Sequence, residues 1–94
     1  MKAKPYYIHK RVYPNGDIVE IKIWKIPFSI DKPHGLKYSL AFIREGKRLI
    51  GYDNAETKGD HRHYLSNEYQ YTFKSIDGLI DDFFEDIRRV KDEG

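Results

Sequence analysis

Tyr6-Tyr7-Ile8-His9-Lys10-Arg11-Val12-Tyr13-Pro14-Asn15-Gly16-Asp17-Ile18-Val19-Glu20-Ile21-Lys22-Ile23-Trp24 reads as two extended runs joined at Asn15-Gly16. The runs are rich in β-branched and aromatic residues, which fit a pleated surface. Asn-Gly supplies the positive φ angles of a type I′ hairpin turn. A two-residue loop sets Val12 opposite Val19, Arg11 opposite Glu20, Ile8 opposite Ile23 and Tyr7 opposite Trp24. Ile8, Val12, Val19, Ile21 and Ile23 then share a core face. Tyr7, His9, Arg11, Glu20, Lys22 and Trp24 occupy the other.

Residues 27–36 hold two prolines and His34-Gly35, so they read as a loop. Residues 37–43 and 48–53 form a second hairpin. A three-residue loop, Arg44-Glu45-Gly46, avoids setting Arg44 against Lys47 and puts Leu40 opposite Ile50 and Tyr38 opposite Tyr52. Residues 54–67 carry almost no aliphatic side chains, and residues 69–73 read as a fifth strand. Ser75 is placed to cap a helix whose stripe is Ile76, Leu79, Ile80, Phe83, Phe84, Ile87 and Val90. The fold class is therefore α+β, one domain over residues 1–94. About five antiparallel strands, two hairpins plus one, are packed by a C-terminal amphipathic helix.

With 94 residues, 39% hydrophobic and 15% aromatic, the chain can bury a modest core. The absence of cysteine rules out a disulfide scaffold, thiolate metal sites and a cysteine nucleophile. No run has the length of a membrane span, and no signal-peptide core opens the chain, so a cytoplasmic protein is expected. The net charge is only +2, but it is unevenly spread. Residues 1–50 carry 11 Lys/Arg against 4 Asp/Glu, while residues 51–94 carry 6 against 11. A positive face toward the N-terminal half is the consequence.

Tyr52-Asp53-Asn54-Ala55-Glu56-Thr57-Lys58-Gly59-Asp60-His61-Arg62-His63-Tyr64 is the chemically distinctive stretch. In extended backbone His61 and His63 point to one side and Arg62 to the other. Two imidazoles on one face suit acid–base work at a phosphodiester, one taking a proton and one donating it. His61 and His63 are the candidate pair, with Asp53 orienting one ring and Lys58 or Arg62 holding phosphate. No metal or cofactor is required. The alternative for the same histidines is a divalent ion held with Asp53 or Asp60. Asn54 reads as a strand-ending turn residue and Tyr52 as core. Arg11, Lys22 and Trp24, with Tyr7 and His9, interleave basic and aromatic groups, as in faces that bind single-stranded nucleic acid. An ordinary outer sheet face, or a face that docks a protein partner, fits the same pattern.

Ile21-Lys22-Ile23-Trp24-Lys25-Ile26-Pro27, Gly35-Leu36-Lys37-Tyr38-Ser39-Leu40, Gly51-Tyr52-Asp53-Asn54-Ala55, Lys58-Gly59-Asp60-His61-Arg62-His63 and the helix start at 73–84 resemble the TumE-like proteins. The resemblance covers nearly the whole chain. It implies the toxin half of a two-gene toxin–antitoxin module, neutralised by a helix-turn-helix antitoxin. By fold-level analogy with other small α+β toxins, an endoribonuclease is expected. A non-enzymatic interaction module and a metal-dependent hydrolase are the competing readings.

Overall fold

The computed structural model describes residues 3–28, 30, 34–54 and 59–93. Six strands and one helix follow in order: β1 (Lys4–Val12), β2 (Ile18–Lys25), β3 (Leu36–Arg44), β4 (Lys47–Asp53), β5 (His61–Tyr64), β6 (Asn67–Gln70) and α1 (Ile76–Glu93). The strands form one antiparallel sheet in sequential order, β1 and β6 at its edges. The α+β class stands, with six strands in the sheet.

Both expected turns differ, and each has a local cause. In the first hairpin Gly16 N–H donates to the Tyr13 carbonyl (2.9 Å) and Tyr13 N–H to the Asp17 carbonyl (2.8 Å). The loop is therefore the three residues Pro14, Asn15 and Gly16. Proline fits the fixed φ of the first corner, and only Gly16 needs a positive φ (92°). That extra residue slips the register by one: Val12 faces Ile18, Arg11 faces Val19 and Tyr7 faces Ile23. A one-residue slip exchanges the faces of a strand. Ile8 and Val12 leave the core and are 50% and 61% exposed. Tyr7, His9 and Arg11 now share the helix side with Ile23, Ile21 and Val19, while Glu20, Lys22 and Trp24 stay on the back.

The second hairpin closes with two residues, Glu45 (φ 52°) and Gly46 (φ 76°), and does place Arg44 beside Lys47. The like charges are tolerated because Arg44 turns to Asp17 instead. Its Nε and Nη2 donate to the two Asp17 carboxylate oxygens at 3.0 and 2.9 Å. A register shift beyond Ile43 then sets Phe42 opposite Ile50 and Leu40 opposite Tyr52. A third hairpin replaces much of the expected polar loop. Tyr64 pairs with Asn67 across Leu65, whose φ is 56°, and Ser66. The last strand is Asn67–Gln70, not 69–73; Tyr71 and Phe73 instead pack inward from the connection to α1.

Helix α1 starts where Ser75 Oγ accepts the Gly78 N–H at 2.9 Å. Leu79, Phe83, Ile87 and Val90 are buried against Val19, Ile21, Ile23, Leu40, Phe42, Ile50 and Tyr52, while Phe84 of the expected stripe stays 42% exposed. The helix covers one face of the sheet, and among the described residues the opposite face carries no helix. No helix among the described residues is long and apolar enough to cross a membrane.

Candidate functional site

The uncovered face holds the site because β5 alternates. His61 and His63 point to the back of the sheet, opposite Asp53 and Gly51 of β4, and Arg62 points to the helix side, opposite Tyr52. Asp53 therefore meets His61 directly across the ladder. His61 Nε2 lies 2.8 Å from Asp53 Oδ1, and His61 Nδ1 lies 3.1 Å from the Gly59 carbonyl oxygen. A carbonyl oxygen and an ionised carboxylate can only accept. The ring satisfies both as an imidazolium, or with a bound cation at Nε2. His61 is buried, 6% exposed.

The His63 ring stands edge-on to His61, with centroids 5.3 Å apart. His63 Nε2 lies 3.3 Å from Glu68 Oε2 on β6. Burial, then the nearby Arg48 charge, hold the His63 pKa below the usual histidine value, which favours the neutral ring.

Arg48 is the fourth member, and it was not anticipated. Its Nη1 lies 3.7 Å from Asp53 Oδ2, and its side chain keeps 44% of its surface exposed. The reason it can lie there is Gly51. A Cβ at Gly51 would stand 3.0 Å from Arg48 Cδ and 3.1 Å from Nε. Glycine inside a strand marks close approach, and that was the available signal.

The other expected site residues scatter. Arg62 is committed to the helix side, donating from Nε to Asp86 Oδ2 (2.6 Å) and from Nη2 to Oδ1 (2.9 Å). Tyr52 Oη donates to the same Asp86 Oδ2 at 2.6 Å, which confirms its place in the core. Arg11 lies on the helix side of the sheet with its guanidinium 4.6 Å from the Tyr13 ring. It shares no face with Lys22 and Trp24. Lys22 is on the back, in line with Ser39, Asp53 and His61 across the strands. Two interstrand spacings put its Cα roughly 10 Å from that of Asp53. Lys58 lies outside the described residues. Asp60 is held by Tyr38 Oη (2.9 Å) and faces His34 Nε2 (3.2 Å), away from the His61–His63 pair. Asn54 is structural: it accepts from Tyr38 N–H (2.9 Å) and donates to the Leu36 carbonyl (2.8 Å).

Asp53, His61 and His63 each offer one ligand atom, all within 4.8 Å of one another. Two donors about 2.1 Å from a tetrahedral metal stand roughly 3.4 Å apart, so small side-chain shifts suffice. The Gly59 carbonyl would orient His61 as metal-bound imidazoles commonly are. The donor set fits a divalent ion, although Arg48 beside Asp53 opposes added positive charge.

A family model described as Toxin TumE matches residues 1–91. The chain belongs to the TumE toxin family. No curated protein and no solved structure matches the chain. The TumE match takes in the whole sheet, the Asp53–His61–His63 cluster and nearly all of α1. A toxin role is thereby supported for the fold described above.

Proposed function

We propose that this TumE-family toxin cleaves RNA on the uncovered sheet face, through His63 and His61 with Arg48 and Asp53. The observation that carries the reading is the convergence, on the side of the sheet without the helix, of a half-buried neutral-leaning imidazole, a buried carboxylate-backed imidazole and an exposed guanidinium. His63 takes the proton of a ribose 2′-hydroxyl. The 2′-oxygen attacks phosphorus, the bond from phosphorus to the 5′-oxygen breaks, and that oxygen takes a proton from His61, whose Nε2–H turns from Asp53 Oδ1 to the substrate to give it. The products are a 2′,3′-cyclic phosphate end and a 5′-hydroxyl end. Arg48 meets the charge that grows on the non-bridging oxygens, the role that the sequence pattern assigns to Lys58 or Arg62. Asp53 fixes the His61 ring.

In a cell, the same reading makes the chain one half of a type II module, held inactive by a helix-turn-helix antitoxin in the cytoplasm. Expression of the chain with His63→Ala or Arg48→Ala should abolish growth inhibition. Purified protein should cut an oligoribonucleotide and leave the same oligonucleotide intact when the attacked position is 2′-deoxy. Variants as toxic as the parent, or cleavage indifferent to the 2′-hydroxyl, overturn the reading.

The 4.8 Å grouping of Asp53, His61 and His63 favours one alternative, a metal-assisted hydrolase. Elemental analysis of the purified protein, and cleavage before and after chelation, separate the two. A stoichiometric divalent ion whose removal stops cleavage assigns the metal route.

A further inference from the structure

Strand β1 is nine residues long, and every one of them is exposed. It is an edge strand, so half of its backbone groups have no ladder partner among the described residues. The turn fixes which half. Tyr13 N–H bonds the Asp17 carbonyl, and hydrogen-bonded pairs alternate along an antiparallel ladder. The backbone groups of Arg11, His9 and Tyr7 therefore face β2, and those of Ile8, Lys10 and Val12 face outward. Edges of this length are normally blunted by proline, bulges, brevity or charged side chains, and Lys10 and Arg11 supply the last of these against like-charged strands. Here Pro5 and the irregularity between Pro5 and Tyr7 blunt only the first end, whereas the opposite edge, β6, has four residues.

The side chains along the open stretch are also unusual. Tyr6, Tyr7, Ile8 and Val12 are 43–61% exposed. On the back, Val12 continues an apolar row with Ile18 and Ile43. The strand carries Lys4, Lys10, Arg11 and His9 and no carboxylate. We infer that residues 7–12 accept an extended, acidic, β-branched segment of a partner polypeptide as a seventh strand of the sheet. The outward N–H and C=O groups supply the ladder, Ile8 and Val12 supply apolar contact, and Lys10 and Arg11 select for carboxylates on the two faces. A second copy is the poorer occupant, because pairing two β1 strands gathers six Lys/Arg and no acid. A nucleic acid is poorer too, since the outward carbonyls would face a backbone of phosphate acceptors in which only a ribose 2′-hydroxyl can donate. The inference is independent of the chemistry proposed for His61 and His63.

The probe is a capped peptide alternating valine and glutamate, with a valine–lysine peptide as control. Binding of the first should protect the amides of Ile8, Lys10 and Val12 from hydrogen exchange, and the second should not bind. Lys10→Pro removes an outward N–H and no β1–β2 bond, so it should weaken binding at least about tenfold with the melting temperature little changed. Lys10→Glu with Arg11→Glu leaves the backbone intact and should reverse the preference toward the lysine peptide. The inference is overturned if the acidic peptide gives no protection, or if the double reversal leaves its affinity unchanged. It is also overturned if oligouridylate displaces the peptide, or if the free chain sediments as a dimer that Lys10→Pro dissociates.

Discussion

Replacing Asp86 with alanine tests whether Arg62 is a structural cation or a ligand-binding one. Asp86 is 4% exposed and receives three donors, Arg62 Nε, Arg62 Nη2 and Tyr52 Oη. Its loss leaves Arg62 facing the core side without a counter-charge. Removing one partner of a buried pair costs about 3–5 kcal/mol. Arg62 keeps 22% of its side-chain surface, so water offsets part of that, and the low end, about 3 kcal/mol, applies. For a domain of this size each kcal/mol moves the midpoint by roughly 4–8 °C, which gives a fall of about 12–24 °C in thermal unfolding. Arg62→Met with Asp86→Leu removes both charges together and should recover most of the loss. That double variant keeps the back face intact, so it should still inhibit growth. A fall of less than about 1 kcal/mol for Asp86→Ala refutes the energetic argument. A stable double variant without toxicity refutes the placement of Arg62 outside the site.

Three further outcomes follow from the fold. Hydrogen bonding from Arg44 holds the Asp17 pKa below its ordinary 3.8, so its contribution to stability is present above that pH and lost as pH falls through the lower folded value; urea midpoints measured from pH 6 to pH 2 should fall less steeply in Asp17→Asn than in the parent. Phe83→Ala empties the centre of the helix–sheet contact and should cost about 3–5 kcal/mol by denaturant unfolding, since the ring is fully buried. Glu45 adopts a left-handed φ of 52° that glycine enters without penalty, so Glu45→Gly should raise stability by roughly 0.5–1 kcal/mol in the same assay; a loss would show that the turn is not strained.

The alternation in β2, the apolar stripe of α1 and the alternation of His61, Arg62 and His63 were legible because each depends on a local period. The turns were not. Asn15-Gly16 carries the dipeptide signal of a two-residue loop, but the preceding Pro14 fits a longer one, and the choice moved Ile8 and Val12 out of the core. Arg44 beside Lys47 looked unfavourable until Asp17, 27 positions away, supplied the counter-charge. Leu65 in a left-handed turn gives no sequence signal at all, so β5 and the start of β6 fall in a stretch that reads as loop, while Tyr69 and Gln70 fall in the expected fifth strand. Arg48 escaped for a related reason. Its reach to Asp53 depends on the empty space above Gly51, and spacing along the chain does not reveal it.

Strand β5 serves two clients with four residues. Odd positions 61 and 63 furnish the open side, and even position 62 anchors the helix. Outside it, loops can lengthen wherever the strand register is kept. Within it, adding or deleting one residue would invert the parity, burying an imidazole where a guanidinium belongs and expelling the guanidinium to the surface. Evolution can therefore retune this toxin by lengthening what surrounds the tetrapeptide, never by stretching the tetrapeptide itself.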